Sequence, residues 1–339
     1  MSKPVPERPN LLWLTMDHVT FHHYRNLGGA LPVLSTYEEL CKAGTEFTNC
    51  KSAHPLCLPC RATMLTGLYT HNHQKYRNER GIGGKDVPLI SKYLREGGYN
   101  VAYFGKNHSG FEPLGPYGFD CFESEDYGNP YLTQEYREYL ERNRISDPIY
   151  HQEWGMNGMF GKYPNGDYNL TREDNFNTFS CGTLTPERVH EADFIIDLAK
   201  HWLEQHKEHP FVLRVDTWGP HHAYQVPEEF ADTMINADEI ELPLSIDSNI
   251  PWKPSFVRQF LEEERKIINI DSKQGWQHVL KRAYENYSYI DKCFGELIQW
   301  INDIGLGNST AILMTADHGD SLGTSGGMFD KCGDMPEEL

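Results

Sequence analysis

The chain has 339 residues, 39% of them hydrophobic, enough for a large core in one big α/β domain or two smaller ones. Its net charge of −18 argues against non-specific nucleic-acid binding and against an anionic membrane surface, though not against a small anion held in one cationic, metal-containing pocket. No apolar run approaches the ~20 residues that span a bilayer; the polar, Pro-rich start and eight dispersed cysteines lead to the expectation of reduced thiols in a cytoplasmic protein.

Residues 11–16 are apolar, with Asn10 before them and Asp17 after, which predicts a buried strand delivering Asp17 at its carboxyl end. Residues 35–43 predict a helix with Ser35 as its N-cap and Gly44 at its end. A second helix is expected over 89–96, stopped by Gly97 and Gly98, and a buried strand over 101–104 delivers Lys106 and His108. Residues 186–208 predict a long helix with Pro186 in its first turn. A strand over 211–215 delivers Pro220, His221 and His222. Val279, Leu280, Ala283, Tyr284, Tyr287, Ile290, Phe294, Leu297, Ile298 and Ile301 then recur at three- and four-residue steps, the stripe of a core-facing helix. The last strand, 311–315, delivers Asp317, His318 and Gly319.

Strands alternating with helices imply an α/β fold, a mostly parallel central sheet sandwiched between helices. Ligands in such sheets bind beyond the carboxyl ends of the strands, so the four polar clusters are expected to converge there. Residues 111–184 and 231–272 break the pattern and read as insertions over the sheet, where selectivity is usually built.

The densest chemistry lies in Cys57-Leu58-Pro59-Cys60-Arg61, followed by Leu65-Thr66-Gly67. The CxxC spacing alone leaves three readings open: a redox pair at a helix N-terminus, half of a zinc site completed by His71 and His73 or Cys332, or two buried structural thiols.

The longer string resembles the maturation signature of the type I sulfatases, formylglycine-dependent members of the alkaline phosphatase superfamily. Four more segments are similar to that family in the same order: residues 10–17, the Gly98-Tyr99 to His108 stretch, Pro220-His221 with Val226-Pro227-Glu228-Glu229, and Ala316-Asp317-His318-Gly319 with Lys331 beyond. The resemblance implies an alkaline-phosphatase-like fold over a single catalytic domain, 1–339. It implies hydrolysis of a small-molecule or carbohydrate sulfate ester, with Cys57 oxidised to formylglycine (3-oxoalanine) by a maturation enzyme. A hydrated aldehyde offers one hydroxyl to attack sulfur and a second through which the product complex collapses.

By the same resemblance, Asp17, Asp317, His318 and the modified residue 57 hold a divalent cation. Oxygen-rich ligands favour Ca²⁺, with Mg²⁺ or Mn²⁺ as alternatives. Arg61 is expected to steady the hydrate, Lys106 and Lys331 to bind the sulfate oxygens, His108 to take the proton of the second hydroxyl, and His221 with Lys331 to protonate the leaving alcohol.

Two features depart from the family pattern. His18 stands where a second carboxylate or an amide is usual; as a ligand it would shift preference towards Mn²⁺ or Zn²⁺. The chain also stops soon after Lys331, so the C-terminal subdomain usual in the family is expected to be missing. Competing functions are a phosphonate monoester or phosphodiester hydrolase with the same nucleophile, a non-catalytic sulfatase-like binding protein, and a thiol-redox protein.

Overall fold

The computed structural model of the chain describes residues 8–20, 34–79, 87–123, 130–156, 164–172, 178–247, 254–268 and 270–331. Cys332, one candidate zinc partner, lies outside them. Five strands form the central sheet: β1 (Asn10–Met16), β2 (Asn100–Gly105), β3 (Asp120–Phe122), β7 (Phe211–Asp216) and β9 (Thr310–Ala316). Their order is β3-β2-β7-β1-β9 and every pairing is parallel. A smaller sheet, ordered β5-β4-β6-β8, is made of β4 (Ile149–Gly155), β5 (Gly166–Asn169), β6 (Ser180–Thr185) and β8 (Tyr224–Pro227).

Side chains of β2 alternate between two cores, as a strand's period of two requires. Ala102 and Phe104 join Leu12, Leu14, Leu213 and Val215 beneath helices α5 (Glu191–His206) and α7 (Lys273–Asp303). Val101 and Tyr103 face the other way, towards Ala62 and Leu65 of the helix Cys57–Thr66 and towards Leu89, Phe111 and Leu114. Helices thus cover both faces, as expected. Among the described residues the helices of more than one turn before α5 are α1 (Ser35–Ala43), α2 (Cys57–Thr66), α3 (Ile90–Glu96) and α4 (Gln134–Asn143), and α6 (Ser255–Ile268) precedes α7. The stripe on α7 is buried except for the half-buried Ile298, and it joins two cores: Val279, Leu280, Ala283 and Tyr284 pack in one, Ile290, Phe294, Leu297 and Ile301 in the other.

Register decides where the chemistry goes. Thr15 pairs with both Asp216 and Thr315, and Gly105 pairs with Asp216, so β1, β2, β7 and β9 end level with one another. Asp17, Lys106, Asp216 and Asp317 therefore emerge along one rim. Gly105 is required at that rim: its φ is 115°, and a Cβ there would meet the Asp216 carbonyl oxygen at 1.8 Å. The β9 edge of the sheet is open: among the described residues β9 pairs only with β1, and Leu313 is 42% exposed.

Four expectations are corrected. Ser35 begins α1 instead of capping it; the cap comes from Asp291 on α7, whose carboxylate accepts from the Thr36 and Tyr37 amides at 2.8 and 3.0 Å. Pro186 does not start α5. Thr185 still pairs with Ile149 in β6, and the residue before a proline is held extended, so the helix waits until His190, whose ring accepts from the Ala192 amide. The 111–184 stretch is not all insertion, because Asp120–Phe122 pairs with Ala102–Phe104 as the sheet's outer strand. Within 231–272, α6 and a turn at Ala237–Glu239 are regular. No helix among the described residues is long and apolar enough to cross a membrane.

Candidate active site

Cys57 is the first residue of α2 and is fully buried. Pro59 sits in the first turn, where the backbone N–H groups lack helical partners in any case. Gly67 ends the helix in the left-handed conformation, φ 68°, its amide donating to the Thr63 carbonyl at 2.8 Å, which accounts for the Thr-Gly of the motif. The two thiols of the CxxC string differ. Cys57 Sγ lies 3.0 Å from His318 Nε2. Cys60 Sγ donates to the Asp317 carbonyl at 2.8 Å and accepts from Ser52 Oγ. Burial and the nearby Asp317 push Cys60 up to about 12. Burial pushes Cys57 the same way, but Lys331, Lys106 and His318 outweigh it and hold that thiol well below its usual range. Both ring nitrogens of His73 are engaged, by Thr63 Oγ1 and by the Lys75 amide, and among the described residues no metal-holding donor group joins Cys57 or Cys60 to His71 or His73, so the zinc reading is not supported.

One donor atom each from Asp17, Cys57, Asp317 and His318 lies within 4.8 Å of every other. The rim brings these residues together from β1, α2 and β9. Three observations fit a divalent cation there. Asp17 Oδ1 is buried with no hydrogen-bond partner among the described residues. The His318 ring sets its Nδ1 2.8 Å from the Gly319 carbonyl, which places the proton on Nδ1 and leaves Nε2 facing Cys57. The donor set mixes two carboxylates, an imidazole and residue 57, whose Sγ marks the place of the oxygen that formylglycine would carry. Burial lowers the His318 ring, but Asp317 and Cys57 pull it up to about 9, so a cation would take the place of that proton.

Arg61 is oriented differently from the expectation. It is fully buried and its guanidinium faces carboxylates: Nε donates to Asp317 Oδ2 at 2.8 Å, Nη1 to Asp216 Oδ2 at 2.9 Å and to the Lys106 carbonyl at 2.7 Å, and Nη2 lies 3.5 Å from Asp17 Oδ2. It aligns the acids that would hold the cation. Lys106 is buried too and pairs with the Asp17 carboxylate. Asp216, missed in the sequence reading, is the hub of this layer: it also takes a two-pronged bond from Arg214 at 2.8 and 2.7 Å and a bond from the Tyr103 hydroxyl at 2.7 Å.

His221 is placed against Lys331 as expected, with Nε2 and Nζ 3.3 Å apart, and its Nδ1 lies 2.7 Å from the His222 carbonyl. Glu191 accepts from the Gly219 amide at 2.9 Å and so anchors the loop that carries His221. His108 lies on the Lys106 loop, half-buried, with φ 40°. His18 also has a left-handed backbone, φ 72°; its amide donates to Asp317 Oδ1 at 3.1 Å, while its ring is not in the Asp17 donor group but turns to Asp330, 3.3 Å away.

This arrangement has relatives. A family model described as Sulfatase matches residues 9–336. The chain is 23% identical to the N-acetylglucosamine-6-O-sulfatase of Bacteroides thetaiotaomicron, covering 99% of this chain and 63% of that protein. It is 24% identical to the choline-sulfatase of Rhizobium meliloti, over 95% of this chain and 59% of that protein. The structure superposes on the phosphonate monoester hydrolase of Agrobacterium radiobacter with a TM-score of 0.72 at 19% identity, covering 97% of this chain and 66% of the other, a likeness of fold. The chain thus spans about three-fifths of the length of these two relatives. With the family match running from the first strand past Lys331, the chain belongs to the sulfatase family.

Proposed function

We propose that this chain hydrolyses the sulfate ester of a small molecule or a carbohydrate, with residue 57 as formylglycine and Ca²⁺ as the cation. The observation that carries the reading is the meeting of Asp17, Cys57, Asp317 and His318 within 4.8 Å, beneath Lys106 and beside the His221–Lys331 pair. A divalent cation held by Asp17, Asp317, His318 and residue 57 supplies Lewis-acid polarisation of the ester and of the nucleophile.

The rest falls to the chain's own groups. Arg61 fixes the acids from behind, so the ligands need no rearrangement. Lys106 and Lys331 supply the positive charge that an anionic ester requires. Burial, His222, Lys331 and Lys106 hold His221 well below the usual histidine range, so its ring is neutral before substrate arrives. A docked sulfate offsets those two lysines, and the His221–Lys331 pair then keeps a proton for the departing alcohol. His108, on the Lys106 loop, is the base for the second hydroxyl of residue 57. The relatives' names, one acting on a sulfated sugar and one on choline sulfate, support an organic sulfate ester as the substrate class.

The test uses the chain co-expressed with a formylglycine-generating enzyme. The mass of the peptide carrying residue 57 is measured, and rates are compared on aryl sulfate, aryl phosphonate and phosphodiester substrates. Loss of sulfur with gain of oxygen, and a faster sulfate reaction, are expected. An unmodified thiol with no turnover, or a preference for the phosphonate or diester, would refute the proposal.

A further inference from the structure

Beside the carboxylate site a second group of donors meets: His18 after β1, His221 and His222 after β7, and Asp330. One donor atom from each lies within 4.8 Å of every other. The His18 ring centroid is 4.6 Å from that of His221 and 5.7 Å from that of His222. These residues come from three distant parts of the chain, and the parallel sheet delivers them to one place.

Two observations point to a ligand here. Both ring nitrogens of His222 and Nδ1 of His18 are buried without a hydrogen-bond partner among the described residues, while His18 Nε2 faces Asp330 Oδ1 at 3.3 Å; His18 and His222 are 0% and 6% exposed. A neutral imidazole carries one N–H and one lone pair, so His18 and His222 bring two buried lone pairs to the cluster, and leaving them without a partner is costly. His221 is already arranged as a ligand: the His222 carbonyl, 2.7 Å from Nδ1, fixes the proton there and leaves Nε2 with its lone pair turned to the cluster. The Lys331 ammonium meets His221 Nε2 at 3.3 Å and Asp330 Oδ1 at 2.8 Å, and the same Asp330 oxygen faces His18 Nε2 at 3.3 Å, so His222 alone of the group has neither ring nitrogen engaged among the described residues.

We propose that His18, His221, His222 and Asp330 form a second cation site, selective for a divalent ion of the Zn²⁺ class and separate from the Asp17–Asp317–His318 site. Three imidazoles and one carboxylate suit zinc, whereas two carboxylates with the oxygen of a modified residue 57 suit a harder ion. Zinc bonds of ~2.0–2.1 Å draw tetrahedral donors to ~3.4 Å from one another, so the group closes on binding by roughly an ångström through side-chain rotation. The ion and the Lys331 ammonium compete for His221 and Asp330. Filling the site therefore withdraws the His221–Lys331 pair from leaving-group protonation and inhibits turnover. That last consequence rests on the proposed hydrolytic reading; the binding itself does not.

The full chain, stripped of metal and saturated with Ca²⁺, is titrated with Zn²⁺, and retained metals are counted by elemental analysis. Co²⁺ serves as an optical probe, its visible bands reporting four-coordinate nitrogen-rich ligation. One Zn²⁺ retained alongside Ca²⁺ is expected. His222→Ala and His18→Gln should each weaken zinc binding at least tenfold with Ca²⁺ binding unchanged, while Asp317→Asn should lose Ca²⁺ and keep zinc. Circular dichroism identifies any variant that does not fold, and the two histidine variants are judged independently. No Zn²⁺ bound to the parent chain, or unchanged zinc affinity in a folded histidine variant, overturns the proposal. Failure of sulfate hydrolysis leaves these binding results standing.

Discussion

Replacing Arg61 by Met keeps most of the side chain's bulk and removes its charge. Arg61 is 0% exposed and its guanidinium reaches Asp317, Asp216 and Asp17 at 2.8, 2.9 and 3.5 Å. Taking one partner from a buried ion pair costs about 3–5 kcal/mol, because the remaining charge stays desolvated. Unfolding entropy near ~2.1 cal/mol/K per residue gives roughly 0.7 kcal/mol/K for a chain this long, so the expected fall in Tm is about 4–7 °C. Ca²⁺ at a hundred times Kd stabilises parent and variant alike by about 2.7 kcal/mol, and it should narrow the gap between them only as far as the variant, short of one cation beside the same carboxylates, binds Ca²⁺ more tightly. The assay is thermal unfolding of parent and variant in chelator and in excess Ca²⁺. A shift below about 1 °C in both conditions would show that Arg61 does not balance these acids, and the charge argument would fail.

Two further expectations can be measured directly. Burial pushes Glu191 up from 4.5 to about 8, so the folded chain keeps a proton that the unfolded chain releases, and stability falls as pH rises between those values. Glu191→Gln can still accept from Gly219 and should gain stability over the parent across that window, by about 2–4 kcal/mol at its upper end; an advantage that is the same at pH 5 and pH 8.5 contradicts this. His221→Ala should slow hydrolysis of alkyl or sugar sulfates about 10²–10⁴-fold and that of 4-nitrophenyl sulfate far less, since nitrophenolate leaves without a proton. An equal loss on both would place His221 outside leaving-group protonation.

Much of the rim was legible because apolar strand runs end abruptly in polar residues: Asp17 after 11–16, Asp317 after 311–315. The role of Arg61 was not, since four residues along a helix from Cys57 suggests a contact with residue 57, and only the sheet register brings three acids to its guanidinium. Asp216 carried a readable signal. Arg214 sits inside a fully buried strand, and two residues on lies a carboxylate on the same face, as a buried cation requires. Asp330 had no such signal, because its meeting with His18 joins residues 312 positions apart and depends on tertiary packing alone. The second sheet was hidden for a similar reason: β6 pairs with β8 across an intervening helix and strand, and neither β5 nor β6 has a strong alternation of its own.

The open side of β9 has a practical consequence. Its outer backbone groups have no strand partner among the described residues, Leu313 and Phe47 are exposed beside it, and a cavity of about 1000 Å³ runs along it as far as Asp317 and His318. An unpaired edge of this kind templates the addition of any extended segment, another copy's included. A segment docking there would end one residue from Asp317, so whatever pairs with the edge of the sheet would also reach the rim that carries the metal ligands.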